Sequence, residues 1–364
     1  MTLLDFSSLL EAVAIRQKRV QAYMFHEENA VQFSHHHLND AVYSYLKAGG
    51  KSLRPAVLMF SCGIVGGDEE KALPAASTVE LYHTFTLVHD DIIDNDDLRR
   101  GVPTVHADFT RRAQSDFGYD EATAAHYGLT VAILAGDMQM GWAAALLTKL
   151  HTQFGVSSTL ALNLVHELFS RVQTLLIEGE TLDVVLSEMP LDQVTDERII
   201  DMLWKKTGVL YEFAGRAGAA IGLNEPDLNH ERVKAIADFT GRCGIAFQMQ
   251  DDILGVIGNQ AQLGKPVGSD IREGKRTLIV LGSLANMTPE ERKLTLSVLG
   301  NAQASEQQIN EVTGLLRESG GIAHAQALSR RYVEEGLENI ANLPDSEYKA
   351  LLESWANYMI AREF

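Results

Sequence analysis

Five carboxylates fall within eight positions in His89-Asp90-Asp91-Ile92-Ile93-Asp94-Asn95-Asp96-Asp97. On a helix Asp90 and Asp94 are four apart and Asp91 and Asp94 three apart, so these three share a face. Like charges so placed cost about a few tenths of a kcal/mol per pair on a solvated helix, and more where water is removed. The apolar stripe of Leu81, Phe85 and Val88 leads straight into them, which puts part of the cluster on the lining of a cavity. Divalent cations resolve such repulsion, and magnesium takes oxygen ligands from carboxylates, phosphates and water. Directly after the acids, Leu98-Arg99-Arg100-Gly101-Val102-Pro103-Thr104 supplies two planar guanidinium forks suited to phosphate oxygens. Acids for a metal followed by arginines for an anion form a chemical set, not an ordinary solvated helix end.

The theme returns in Phe247-Gln248-Met249-Gln250-Asp251-Asp252-Ile253-Leu254-Gly255, where Gln248 lies four residues before Asp252 and can reach the same site. Downstream, Gly264-Lys265-Pro266-Val267-Gly268 and Gly274-Lys275 allow tight turns that let Lys265 and Lys275 approach an anion. Near the start, Gly49-Gly50-Lys51-Ser52-Leu53-Arg54-Pro55 sets two cations three apart after a flexible turn.

The elements that must position these groups are helical almost throughout. Leu81, Phe85, Val88 and Ile92 mark one helix stripe, and Leu164, Leu168, Leu175 and Leu182 mark another. No alternating run bounded by hairpin turns stands out. Breaks at Gly49-Gly50, Gly66-Gly67, Gly101 to Pro103, Pro190, Asn224 to Pro226, Gly264 to Gly268 and Gly320-Gly321 divide the chain into roughly ten helices. The expectation is an all-α, single-domain bundle over residues 1–364. Residues 1–30 form a helical extension, and the polar stretch 108–127 forms an elaborated connection.

Apolar residues make up 46% of the 364 and charged residues 22%, enough for a sizeable core. A net charge of −18, from 49 acidic and 31 basic residues, argues against a nucleic-acid surface. An acidic protein that binds an anion must recruit metal ions or local clusters of Lys and Arg. Two distant cysteines, Cys62 and Cys243, no leader-like start and no run of eighteen apolar residues lead to a cytoplasmic expectation, with no membrane span.

Taken together, these segments resemble the trans-prenyltransferases, the head-to-tail isoprenyl diphosphate synthases, from about Leu38 to Thr277. The resemblance rests on Gly-Gly-Lys-Ser-Leu-Arg-Pro, His83 through Asp94, Arg-Arg-Gly-Val-Pro-Thr, Gly179-Glu180-Thr-Leu-Asp183, Lys206-Thr207, and Phe-Gln followed by Asp-Asp and Gly-Lys-Pro. It implies an isoprenoid-synthase bundle around a central cavity, a homodimer, and three magnesium ions per site. Asp90, Asp91 (through the site network), Asp94, Asp251 and Asp252 would hold the metal. Arg99, Lys206, Lys265 and Lys275 would grip the allylic diphosphate, while Lys51, Arg54, His83 and Arg100 match positions that bind isopentenyl diphosphate. Thr207 and Gln248 match residues that stabilise the allylic cation. Three departures stand out: Gly255 replaces a third aspartate, the middle helix reads Gly179-Glu180, and Ser52-Leu53 stand where a basic residue often follows the lysine.

The chemistry this implies is ionisation of an allylic diphosphate, attack on the carbocation by the double bond of isopentenyl diphosphate, and loss of a proton. No Ser or Cys nucleophile is needed. Counting back from Asp90, the floor under the growing tail is Thr86 and Phe85, then Tyr82, then Val79. Aromatic rings at that depth should block a long tail, and with the uninterrupted first motif the family resemblance favours a product of about twenty carbons, with fifteen and twenty-five as the neighbouring lengths. A terpene cyclase of the same fold is an alternative, but Lys51, Arg54, His83 and Arg100 oppose it. A non-catalytic subunit of a heteromeric synthase is another, and the intact acids oppose that. His35, His36 and His37 point in different directions on a helix and are not expected to share a ligand. Asp137 is a candidate member of a buried polar network, and Met138 and Met140 are core filling. Phe85→Ala is expected to lengthen the product; an unchanged length distribution would remove Phe85 from the floor.

Overall fold

The computed structural model describes residues 5–99, 101–257 and 269–361. Helices take up 79% of the chain, so the all-α expectation holds. By internal contacts the chain divides into two compact units, one of Ser7–Val165 with Arg216–His230, the other of Met1–Phe6, His166–Gly215 and Glu231–Phe364.

The first unit is built on α1 (Ser7–Phe25), α2 (His36–Ala48), α3 (Leu53–Ile64), α4 (Leu73–Ile93), α5 (Val105–Phe117) and α6 (Glu121–Phe154). Pro74 sits in the first turn of α4, where its missing N–H costs nothing. Leu81, Tyr82 and Val88 are buried in the core, and α4 packs chiefly on α6. Gly136 lets the two helices approach closely, since a Cβ there would lie 2.2 Å from the His89 ring. Buried polar groups fix the register: Thr78 Oγ1 donates to the Ala143 carbonyl at 2.9 Å and Gln139 Nε2 to that of Val42 at 2.8 Å.

Residues 108–127 are not the irregular connection expected. They form most of α5, a three-residue link and the start of α6. Their polar character is that of a half-exposed helix pair: only Val105, His106, Phe109 and Ala113 of α5 are buried, and Asp120 caps α6 by accepting from the Thr123 N–H. The long α6 has the length and apolarity of a membrane-crossing helix, with mean hydropathy 1.3 over its best window, of which 44% is buried. Its buried positions face α2, α4 and α5, as in the core helix of a globular unit. Asp137 is exposed, outside any buried network.

The second unit contains α8 (Gln173–Glu188), α9 (Asp196–Leu203) and α11 (Glu231–Ile257); α7 (Ser158–His166) and α10 (Val209–Leu223) run at the boundaries of the units. Helix α11 packs on the helix Gly321–Ile340, and Trp355 anchors that core against Phe239 and Tyr211. The expected stripe through Leu168 and Leu175 is displaced by one residue after Leu168: Leu176 and Leu186 are buried, while Leu175 and Leu182 are only half-buried. The cause is a widened π turn at Glu167–Val172, whose extra residue rotates everything beyond it.

Candidate active site

Helix α4 ends at its acids. Asp94 is the cap residue, its N–H donating to the Asp90 carbonyl at 2.8 Å, and Asn95 takes a left-handed conformation with φ 55°. Asp90, Asp91 and Asp94 therefore sit at a helix C-terminus, where the macrodipole adds about half a negative charge to their own. Asp90 and Asp94 each bring a carboxylate oxygen within 4.8 Å of the other's. At that spacing two charges repel by roughly 3 kcal/mol at an effective dielectric of 20, a strong demand for a cation.

Asp91 behaves differently. It is fully buried, and Arg99 reaches it with Nε at 2.7 and 2.9 Å from its two oxygens and with Nη2 at 2.5 Å. Tyr45 of α2 donates its hydroxyl to Asp91 Oδ2 and accepts from the Val105 N–H. The same Arg99 touches Asp90 Oδ2 at 3.3 Å. Arg99 is delivered by a small antiparallel ribbon that pairs Leu98 with Pro103 and Arg99 with Val102, turning at Gly101 with φ 77°. Burial opposes the charge on Arg99, but the hydrogen bonds and field of Asp91 more than offset it and hold the guanidinium pKa above its ordinary value. Burial likewise pushes the Tyr45 phenol up, with Asp91 adding to it. Both oxygens of Asp91, expected among the metal ligands, are thus engaged by Arg99 and Tyr45, whereas Asp90 and Asp94 set carboxylate oxygens close to one another at the helix end.

On the same unit, Arg54 Nη1 lies 3.2 Å from His83 Nε2, joining the first turn of α3 to α4. Lys51 is exposed in the turn just before α3, and Ser52 (φ 45°) donates to Glu80. A helix N-terminus flanked by Lys51 and Arg54 suits an anion. Deeper on α4, the Tyr82 and Phe85 rings meet edge to face at 4.6 Å, Tyr82 fully buried and Phe85 half-buried. Thr86 donates its hydroxyl to the His83 carbonyl.

The second unit assembles another set. Trp204–Gly208 is a widened helical turn that carries Lys206 and Thr207, and it crosses α8 so closely that a Cβ on Gly179 would lie 2.4 Å from the Lys206 nitrogen. That proximity brings Lys206 Nζ to Asp183 at 2.7 Å and to Glu180 at 3.1 Å. Thr207 donates to Gln248 Oε1 at 3.0 Å, and Gln248 Nε2 donates to Asp252 Oδ1 at 3.3 Å, so Gln248 reaches Asp252 as its spacing implied and Thr207 joins the pair. Desolvation and then the charge of Asp270 push the Asp252 carboxyl well above its usual range, Gln248 and Lys275 pulling the other way. Lys275 lies 3.0 Å from Glu273 and 3.8 Å from Asp270.

Gly255, the missing third acid, has a neighbour that sequence reasoning passed over. A Cβ there would meet Asp270 Oδ2 at 2.9 Å, so the Asp270 carboxylate occupies the space beside it. Tyr45, Glu180, Asp183 and Asp270 were all missed as site residues. Only Glu180 and Asp183 had a signal, their i, i+3 spacing. Asp251 is half-buried. The expected contributions of Arg100 and Lys265 lie outside the described residues.

Residues 35–316 match the polyprenyl synthetase family model. The chain belongs to that family. A geranylgeranyl diphosphate synthase of Saccharolobus solfataricus is 36% identical over 93% of this chain and 94% of its own length. Among solved structures, geranylgeranyl pyrophosphate synthetase from Pyrococcus horikoshii superposes with a TM-score of 0.82 at 32% identity, covering 98% of this chain and 99% of the other. The Corynebacterium glutamicum geranylgeranyl pyrophosphate synthase, complexed with isoprenyl diphosphate and magnesium, gives 0.82 at 28% identity over 98% and 99%. The polyprenyl synthetase chain described here is accordingly a trans-prenyltransferase, with acidic groups able to bind metal.

The two classes of aspartate separate by experiment. Asp91→Ala strands a largely buried guanidinium and is expected to cost about 3 kcal/mol of stability in urea unfolding. Asp90→Ala removes repulsion at a helix end and should cost less than about 1 kcal/mol. Equal losses would show that Asp91 has no special structural part.

Proposed function

We propose that this polyprenyl synthetase condenses isopentenyl diphosphate with an allylic diphosphate, head to tail, to an all-trans product of about twenty carbons. The observation that carries the reading is the division of labour at the end of α4: Asp91 is withdrawn into Arg99 and Tyr45, while Asp90 and Asp94 keep oxygens 4.8 Å or less apart. Such an all-oxygen donor set at a negative helix end fits magnesium. Asp90, Asp94 and Asp251 would hold it, three ions per site. Bound there, magnesium would supply positive charge to offset that building on the departing diphosphate.

The side chains do the rest. Lys206, held by Asp183 and Glu180, and Lys275, held by Glu273, present their ammonium groups to the allylic diphosphate, with Arg99 ordering the acids beside it. Asp270 supplies the carboxylate that Gly255 lacks. Thr207 and Gln248 offer oxygens to the allylic cation, their orientation set by the chain of hydrogen bonds to Asp252. Lys51, Arg54 and His83 hold isopentenyl diphosphate at the start of α3, aligning its double bond with the ionising carbon. Tyr82 and Phe85 close the slot below the acids.

The exposed stripe of Leu129, Ile133 and Leu134 on α6 supports a homodimer, since apolar residues grouped on a long helix are costly in water. Cys62 and Cys243 are buried free thiols, and burial pushes the Cys62 thiol up to about 12, which suits a reducing cytoplasm.

The direct test supplies magnesium, isopentenyl diphosphate and each allylic starter in turn and measures product length. A geranylgeranyl product is expected, falling at least about tenfold in rate with Asp270→Asn. Hydrocarbon formed from one allylic diphosphate alone would instead identify a cyclase. In sedimentation velocity the wild type should run as a dimer and Ile133→Glu as a monomer; a monomeric wild type would discard the α6 interface.

A further inference from the structure

Consecutive residues within a helix diverge, and by that rule His35, His36 and His37 would share nothing. At the start of α2, where His35 is the extended cap residue (φ −88°, ψ 118°) and His36 the first helical residue, the structure nonetheless brings two of the rings together. The His36 and His37 rings lie 4.5 Å apart, and the ligand atoms of His36, His37 and Asp116 of α5 all fall within 4.8 Å of one another.

Two of the three are held from behind. His37, only 1% exposed, has Nδ1 2.8 Å from the Tyr127 hydroxyl and Nε2 3.0 Å from Asp116 Oδ2. The other oxygen of Asp116, Oδ1, accepts from the Ser115 hydroxyl at 2.7 Å. An imidazole and a carboxylate that each spend one atom on an outer partner, with their remaining atoms 3.0 Å apart, are arranged as metal ligands are when an ion takes the place of the hydrogen between them. His36 is exposed and free to turn in as the third.

We propose that His36, His37 and Asp116 form a site for one divalent transition-metal ion of the zinc class, separate from the magnesium acids. Two imidazole nitrogens and one carboxylate oxygen suit zinc, with ligand distances of about 2.0–2.2 Å and a fourth position for water. Magnesium, which favours oxygen ligands, competes poorly here. In the metal-free protein the Nε2 hydrogen of His37 spans the gap to Asp116 while Tyr127 donates to Nδ1. On binding, the ring hydrogen moves to Nδ1 and is donated to the Tyr127 oxygen, freeing the Nε2 lone pair for the ion with no net proton lost. The ion clips α2 to α5 and so stabilises the fold.

The test uses the full-length protein in excess magnesium, which saturates the acidic motifs. Calorimetric titration with zinc should show one saturable equivalent and a raised Tm, and cobalt in its place should give the visible absorption of a nitrogen- and oxygen-ligated ion. His36→Ala and Asp116→Asn, both at exposed positions, should each weaken zinc binding by about tenfold or more, with an unchanged metal-free circular dichroism spectrum. No saturable zinc equivalent in excess magnesium, or an affinity unaltered in both variants, would overturn the proposal.

Discussion

The repulsion among carboxylates at the C-terminal end of α4 is the constraint on which the rest of the first unit is arranged. Asp90, Asp91 and Asp94 add their charges to the negative pole of their own helix, an arrangement that destabilises a solvated helix end modestly and a water-poor one more. The protein neutralises one of the three internally. Arg99 and Tyr45 take both oxygens of Asp91, and to deliver them the chain needs the ribbon at Gly101 and the placement of α2 beside α4. Asp90 and Asp94 keep carboxylate oxygens within 4.8 Å of one another, the pair whose repulsion a magnesium ion would lower under the proposed function.

The second unit meets a similar difficulty with backbone geometry. Its cation Lys206 and hydroxyl Thr207 lie on a widened turn, which breaks the helical period and turns both out of register with α9. Gly179 on α8 then allows the approach that pairs Lys206 with Asp183 and Glu180. Burial, then the nearby charge of Asp270, raises the Asp252 carboxyl well above its usual range, with Gln248 and Lys275 opposing them. In both units charge is paired just enough to order the side chains and not enough to silence them.

Much of this was legible in the chain. The acids at 90–94 and 251–252, the cations around them, the all-α class and the aromatic pair at 82 and 85 follow from residue types at helical spacing, because i, i+3 and i+4 neighbours meet whatever the fold. The misreadings came where the helix departs from that spacing or where polarity misled. The buried stripe slipped from Leu175 to Leu176 after a π turn. A polar stretch at 108–127 proved to be a half-exposed helix pair.

What the sequence determined by itself is therefore the local faces, which depend on short-range spacing and on charge, and, through its resemblance to a known family, the reaction class. Only the tertiary structure decided which aspartate is buried against Arg99 and Tyr45. It also placed Asp270 beside Gly255 and brought Asp116 to His36 and His37. Each of those pairings joins groups eight to eighty residues apart. Such distances close only through turns and helix packing, where burial of the surrounding apolar surface supplies the free energy to hold charges that would otherwise separate into water.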